Sequence, residues 1–165
     1  MTKTIITEIL AKKKLKVVRT FNASRELVWK AWTESKLLDQ WWAPKPWKAK
    51  TTYLDFRPGG YWLYCMNGPE GEQHWARADY RKIVLLDSFE GDDSFCDEEG
   101  NINHDTPGMR WKVNFAKIAS MTRVEVEITF KTEEDLKKIV EMGFKEGFTA
   151  AHDNLDELLI ELTSK

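Results

Sequence analysis

The chain has 165 residues, a formal net charge of -2 at pH 7, 42% hydrophobic and 32% charged residues, and two cysteines, Cys65 and Cys96. That is the length and balance of one domain with one core, 1–165, and the small net charge gives no reason to expect nucleic acid or an anionic membrane as a partner. Two cysteines exclude a disulfide framework or a local cysteine–metal site, no run approaches the ~20 apolar residues of a membrane span, and Ile5-Ile6 is too short for a signal peptide, so a cytoplasmic location is the default expectation.

Thr4 to Leu10 leans towards β structure and suits an edge strand. Lys12, Lys13, Lys14 and Lys16 form a small basic run, read as a solvated turn. Leu15 to Phe21, rich in β-branched residues, predicts a strand. Asn22 and Ala23 turn the chain and Ser24 caps a helix with Leu27, Val28, Ala31 and Trp32 on one face. A second short helix follows over Lys36 to Trp41. Trp41-Trp42-Ala43-Pro44-Lys45-Pro46-Trp47 is a stiff loop, because proline fixes φ and the residue before it avoids the helical region. The loop is either a lid or a permanently packed cap.

From Lys48 the pattern changes to period two with turn signals at intervals. Thr51 to Phe56, Tyr61 to Met66, Gln73 to Val84, a strand from near Ser88 to Phe95, Met109 to Ile118 and Thr122 to Lys131 read as an antiparallel meander. Arg57-Pro58-Gly59-Gly60, Asn67-Gly68-Pro69-Glu70-Gly71 and Ala119-Ser120 mark its turns, and Asp97 to Pro107 reads as a polar loop. Thr132 then caps a long helical pattern, with Glu133, Glu134 and Asp135 in its first turn. Leu136, Val140, Gly143, Gly147, Ala151, Leu155, Leu158 and Leu162 recur at helical spacing. An unbroken helix would run roughly 45 Å at ~1.5 Å per residue, longer than the domain is wide, so Gly143 is the expected break. An antiparallel sheet needs one face covered, and only this helix is long enough to cover it.

This order of elements resembles the helix-grip fold of the START-like, or SRPBCC, superfamily: an α+β fold whose curved antiparallel sheet wraps a long C-terminal helix, with two short helices after the first strand. Three stretches resemble its branch named for the activator of Hsp90 ATPase. They are Val28-Trp29-Lys30-Ala31-Trp32-Thr33 leading to Leu38-Asp39-Gln40-Trp41-Trp42, Phe56-Arg57-Pro58-Gly59-Gly60-Tyr61-Trp62, and Gly143-Phe144-Lys145-Glu146-Gly147-Phe148 ahead of Asn154-Leu155-Asp156-Glu157-Leu158-Leu159. The resemblance implies an apolar small molecule held between sheet and helix. The branch name adds a stress-response association, but the Asn- and Trp-rich motif by which the eukaryotic co-chaperone engages Hsp90 is absent here, so Hsp90 is not an expected partner.

Eight Trp within 12% aromatics are the unusual numbers. Trp62, Tyr64 and Met66 share one strand face and Tyr61, Leu63 and Cys65 the other; both sets are apolar, and only the resemblance assigns the first set inward. Trp75, Arg77 and Asp79 share a face of the next strand. If it points inward, Arg77 and Asp79 are a buried pair suited to polar recognition; if outward, they are a surface pair of little energy. Trp111 alternates with polar neighbours and should face the helix. The candidate ligand contacts are therefore Trp62, Tyr64, Met66, Trp75, Arg77 and Trp111 on the sheet. Phe144, Phe148 and His152 join them from the helix, and Trp41 from the loop.

His152 lies in the apolar stripe, as a core residue, a ligand contact or an acid/base. The histidines have no partner at metal-ligand spacing. The acidic run Glu90, Asp92, Asp93, Asp97, Glu98 and Glu99 lacks EF-hand spacing and reads as a solvated loop. No catalytic residue, metal or cofactor is assigned. The first reading is a non-enzymatic binder of an apolar or aromatic molecule. The alternatives are a cyclase or isomerase using His152, a chaperone-interaction module, and a homodimer as an added arrangement.

Overall fold

Alternating burial along the strands dominates the computed structural model, which describes residues 3–164. The elements are β1 (Ile5–Ile9), a 3₁₀ turn at Leu10–Lys12, β2 (Lys14–Phe21), α1 (Arg25–Thr33), α2 (Ser35–Trp41), β3 (Lys48–Leu54), β4 (Tyr61–Asn67), β5 (Gln73–Val84), β6 (Ser88–Cys96), β7 (Met109–Ile118), β8 (Met121–Thr129), α3 (Glu133–Glu141) and α4 (Phe144–Thr163). Among the described residues, eight strands form one antiparallel sheet in the order β1-β2-β8-β7-β6-β5-β4-β3. This is the α+β helix-grip fold.

Local chemistry sets the boundaries. Ser24 accepts a hydrogen bond from the Leu27 backbone N–H at the start of α1, and Thr132 accepts one from the Asp135 N–H at the start of α3. Gly143 separates α3 from α4 with φ at 91°, a left-handed conformation that a side chain disfavours. The long C-terminal pattern is therefore two helices, broken at the expected glycine. Lys14 and Lys16 are not in the turn but on β2, paired with Glu127 and Glu125 of β8 at 3.5 and 2.9 Å.

The core sits between the sheet and α1, α2 and α4. Leu15, Val17 and Phe21 of β2, Trp111, Val113 and Phe115 of β7, and Val124, Val126 and Ile128 of β8 point into it. From α4, Phe148, Ala151, Leu155, Leu158 and Leu159 meet them. β4 is buried on both faces, which explains its two apolar sets. The loop after β6 folds over the outer face, where the Gly100 carbonyl accepts a 2.8 Å hydrogen bond from Arg77.

Candidate ligand-binding site

Between the far half of the sheet and the α3–α4 break, side chains leave space. A cavity of about 250 Å³ opens there to solvent. Tyr64 and Met66 of β4, Ala76 of β5, Phe95 of β6 and Met109 and Trp111 of β7 form its sheet wall. Phe144, Gly147 and Phe148 of α4 form the opposite wall, with Ile139, Met142 and Trp42 completing it. Small residues on both walls leave the space: Ala76 is short, and a Cβ built on Gly147 would meet only the Pro44 ring, at 3.8 Å. Behind it lies a smaller void of about 30 Å³, lined among others by Trp62, Tyr80, Gly91 and Asp93, with room for about two waters. Gly91 is required there for a different reason: a Cβ would stand 2.5 Å from the Asp79 carbonyl oxygen.

The walls are aromatic and closely packed. Phe148 packs against Trp111 at 5.5 Å, Trp42 at 5.8 Å and Phe144 at 5.3 Å between ring centroids. Tyr64 stacks on Trp62 at 4.0 Å, and its hydroxyl oxygen accepts a 3.0 Å hydrogen bond from Trp42 Nε1. Burial pushes the Tyr64 phenol well above its ordinary titration range, so it stays neutral.

Asp93 is the carboxyl in this wall. It pairs in register with Ala78 and Met109, which turns it inward. Burial first, then the nearby carboxylates of Asp92 and Asp79, pushes its pKa up to about 8. The carboxyl forms no ion pair or hydrogen bond among the described residues. The acidic run is therefore not one solvated loop: Glu90, Asp92 and Asp93 belong to β6, and only Asp97, Glu98 and Glu99 lie beyond it. Strand alternation sends Asp92 out and Asp93 in.

The residues named from the sequence divide into four groups. Tyr64, Met66, Trp111, Phe144 and Phe148 meet at the cavity. Trp62 lines the deeper void, and its Nε1 donates to Thr51 Oγ1 at 2.9 Å. Trp41 and His152 are core residues. Trp41 is fully buried, and its Nε1 donates to the Ala31 carbonyl at 2.9 Å. Trp75 and Arg77 lie on the outer face, because β5 pairs with β4 so that Ala76 and Ala78 stand beside Tyr64 and Trp62. There Arg77 holds Asp79 with two hydrogen bonds, 2.9 and 2.6 Å, and lies over the Tyr61 ring at 4.3 Å. The cavity-lining residues not named from the sequence include Trp42, Ala76, Asp93, Phe95, Met109, Ile139 and Met142. Alternation along β6 was the available signal for Asp93, but the acidic composition masked it.

The Trp-rich loop is a packed cap. Trp41, Trp42 and Ala43 are buried, and Asn154 of α4 donates to the Ala43 carbonyl at 2.9 Å. Trp42 and Pro44 line the cavity, while Trp47 rests on His74 at 5.0 Å. His152 is packed against Phe21, Trp32 and Phe148, with Nδ1 2.9 Å from Thr4 Oγ1. Burial, and then the Arg19 charge, lower its pKa to about 3. It is neutral and away from the cavity, in a polar cluster that joins β2 to α4. In that cluster Arg19 pairs with Asp156 and, at 2.8 Å, with Asp153.

Solved structures share this architecture. A Mycobacterium smegmatis protein is 29% identical, with a TM-score of 0.88 over 95% of this chain and 96% of its own. An Arthrobacter aurescens protein is 29% identical, with a TM-score of 0.90 over 95% and 91%. One from Staphylococcus epidermidis is 26% identical, with a TM-score of 0.83 over 94% and 93%. A search of curated proteins finds no match. The family described as "Activator of Hsp90 ATPase homolog 1-like protein" matches residues 22–160, and with that span covering most of the 165 residues, the chain belongs to this family.

Proposed function

We propose that this protein binds an apolar or aromatic small molecule in the cavity between β4–β7 and the α3–α4 break. The family supports a ligand-binding or co-chaperone-type module, and the open, aromatic-walled cavity of about 250 Å³ favours the first. An apolar cavity of about 150 Å³ accommodates a benzene molecule, so this one suits one or two rings. Burying the ligand's apolar surface supplies the affinity, and the few polar groups in the wall set its orientation. The walls are held by aromatic packing that exists before any ligand enters, which reduces the ordering cost of binding. Nothing in the geometry supports proton transfer by His152, whose ring lies in the core.

Gly147→Leu tests the placement. The new side chain projects from α4 into the cavity, and replacing an interior helical glycine favours the helix by up to about 1 kcal/mol. We expect the variant to bind the fluorescent probe N-phenyl-1-naphthylamine at least ~10-fold more weakly than the parent, with no fall in Tm. Undiminished probe binding by the folded variant would remove the cavity as the site.

A further inference from the structure

We propose that the cavity is a hydrogen-bond donor site for an uncharged carbonyl oxygen carried on an apolar ring system, with the Asp93 carboxyl as its principal donor. This rests on the cavity being a binding site and names what it selects.

Three polar groups in and around the wall, Asp93, Tyr64 and Trp111, can donate and have no acceptor among the described residues. The Asp93 carboxyl forms no ion pair or hydrogen bond among the described residues, and an apolar surrounding keeps such an acid protonated, able to donate its O–H. The Tyr64 oxygen already accepts from Trp42 Nε1, and its own proton has no acceptor among the described residues. Trp111 Nε1 is buried in the same wall and has no partner among the described residues. A buried donor left unpaired is costly, so the complementary ligand group is an acceptor with nothing to donate. A carbonyl oxygen, with two lone pairs, is that group.

Charge favours a neutral ligand. The titratable groups nearest Asp93 are Tyr64 from β4, Tyr80 and the outward-facing Asp79 from β5, and Asp92 beside it on β6, while a separate, wider opening that Asp93 also borders carries Arg81, Arg110, Lys131, Asp135 and Lys138. Both tyrosines are held neutral by burial. Asp79 is paired with Arg77, and Asp92 with Arg81 and Arg110. His74 lies at the exposed rim. The α4 wall offers Phe144, Gly147 and Phe148, with no charge. An anion would find no cation in the wall, and a cation would first have to displace the Asp93 proton.

The test compares 2-acetylnaphthalene with 2-isopropenylnaphthalene, which replaces C=O by C=CH₂ at nearly the same shape, each titrated calorimetrically into the full chain. At pH 6.5 the ketone should bind about tenfold more tightly, the scale of one hydrogen bond. At pH 9.5, with Asp93 ionised, that advantage should disappear while the hydrocarbon's affinity holds. Asp93→Asn keeps an N–H donor, so its preference for the ketone should persist at both pH values. Equal affinities at pH 6.5, or an undiminished ketone preference at pH 9.5 in the parent protein, would overturn the donor site and leave the cavity standing. If neither compound binds, the cavity reading fails and this inference with it.

Discussion

A carboxyl in an unfolded chain titrates near ~3.9, whereas Asp93 in the fold is pushed up to about 8. Between those values the folded protein keeps a proton that the unfolded chain has released. Stability therefore falls as pH rises from ~4 to 8. Asp93→Asn removes the titration at little change in shape. It should stabilise the protein by on the order of 3 kcal/mol at pH 8, allowing for the water that reaches the cavity, and by little at pH 4. Urea unfolding at the two pH values measures this; an equal gain at both would show that burial does not govern the carboxyl. The same residue shows the limit of composition as a guide. Asp92 and Asp93 are adjacent and chemically identical, yet one meets arginines on the outer face and the other an aromatic wall. Arg77 is the converse, a charge that sequence could place on either side and that the β4–β5 register sends outward.

Among the elements, the α3–α4 pair was the most legible. Its caps, its apolar stripe and its break are local properties, and each is where the residues indicate. Gly143 provides the direct check. Its added Cβ would touch nothing within 4 Å, so only the φ of 91° opposes a substitution. Gly143→Ala should cost about 1 kcal/mol through the backbone alone, read as a lower midpoint in urea at unchanged m-value. An unchanged midpoint would mean that the break between the helices does not depend on the glycine. The Trp41–Trp47 loop was less legible, since lid and cap demand the same stiffness and the same indoles. Only the contacts of Trp41, Trp42 and Ala43 with α4 and the core identify a cap.

At the scale of the molecule, a buried charge cluster ties the two ends of the chain. Arg19, 2% exposed, reaches from β2 to Asp156 and Asp153 on α4. Removing one partner strands the other charge in the core, at a cost of about 3–5 kcal/mol. Arg19→Met should therefore be severely destabilising, and adding Asp156→Leu should recover most of the loss. Equal instability of the single and double variants, by urea unfolding, would place the cost in packing rather than in the stranded carboxylate. The amino-acid order alone determined the strands, the caps, the glycine break and the layer that the last helix must cover, because each is written in spacings of two to four residues. Which face of β4 and β5 turns inward, that Asp93 lines the cavity, and that Ala76 and Gly147 lie on its two walls were decided only by the tertiary structure. Those relations join residues dozens of positions apart, and pairing register, to which a two-sided apolar strand is indifferent, fixes them.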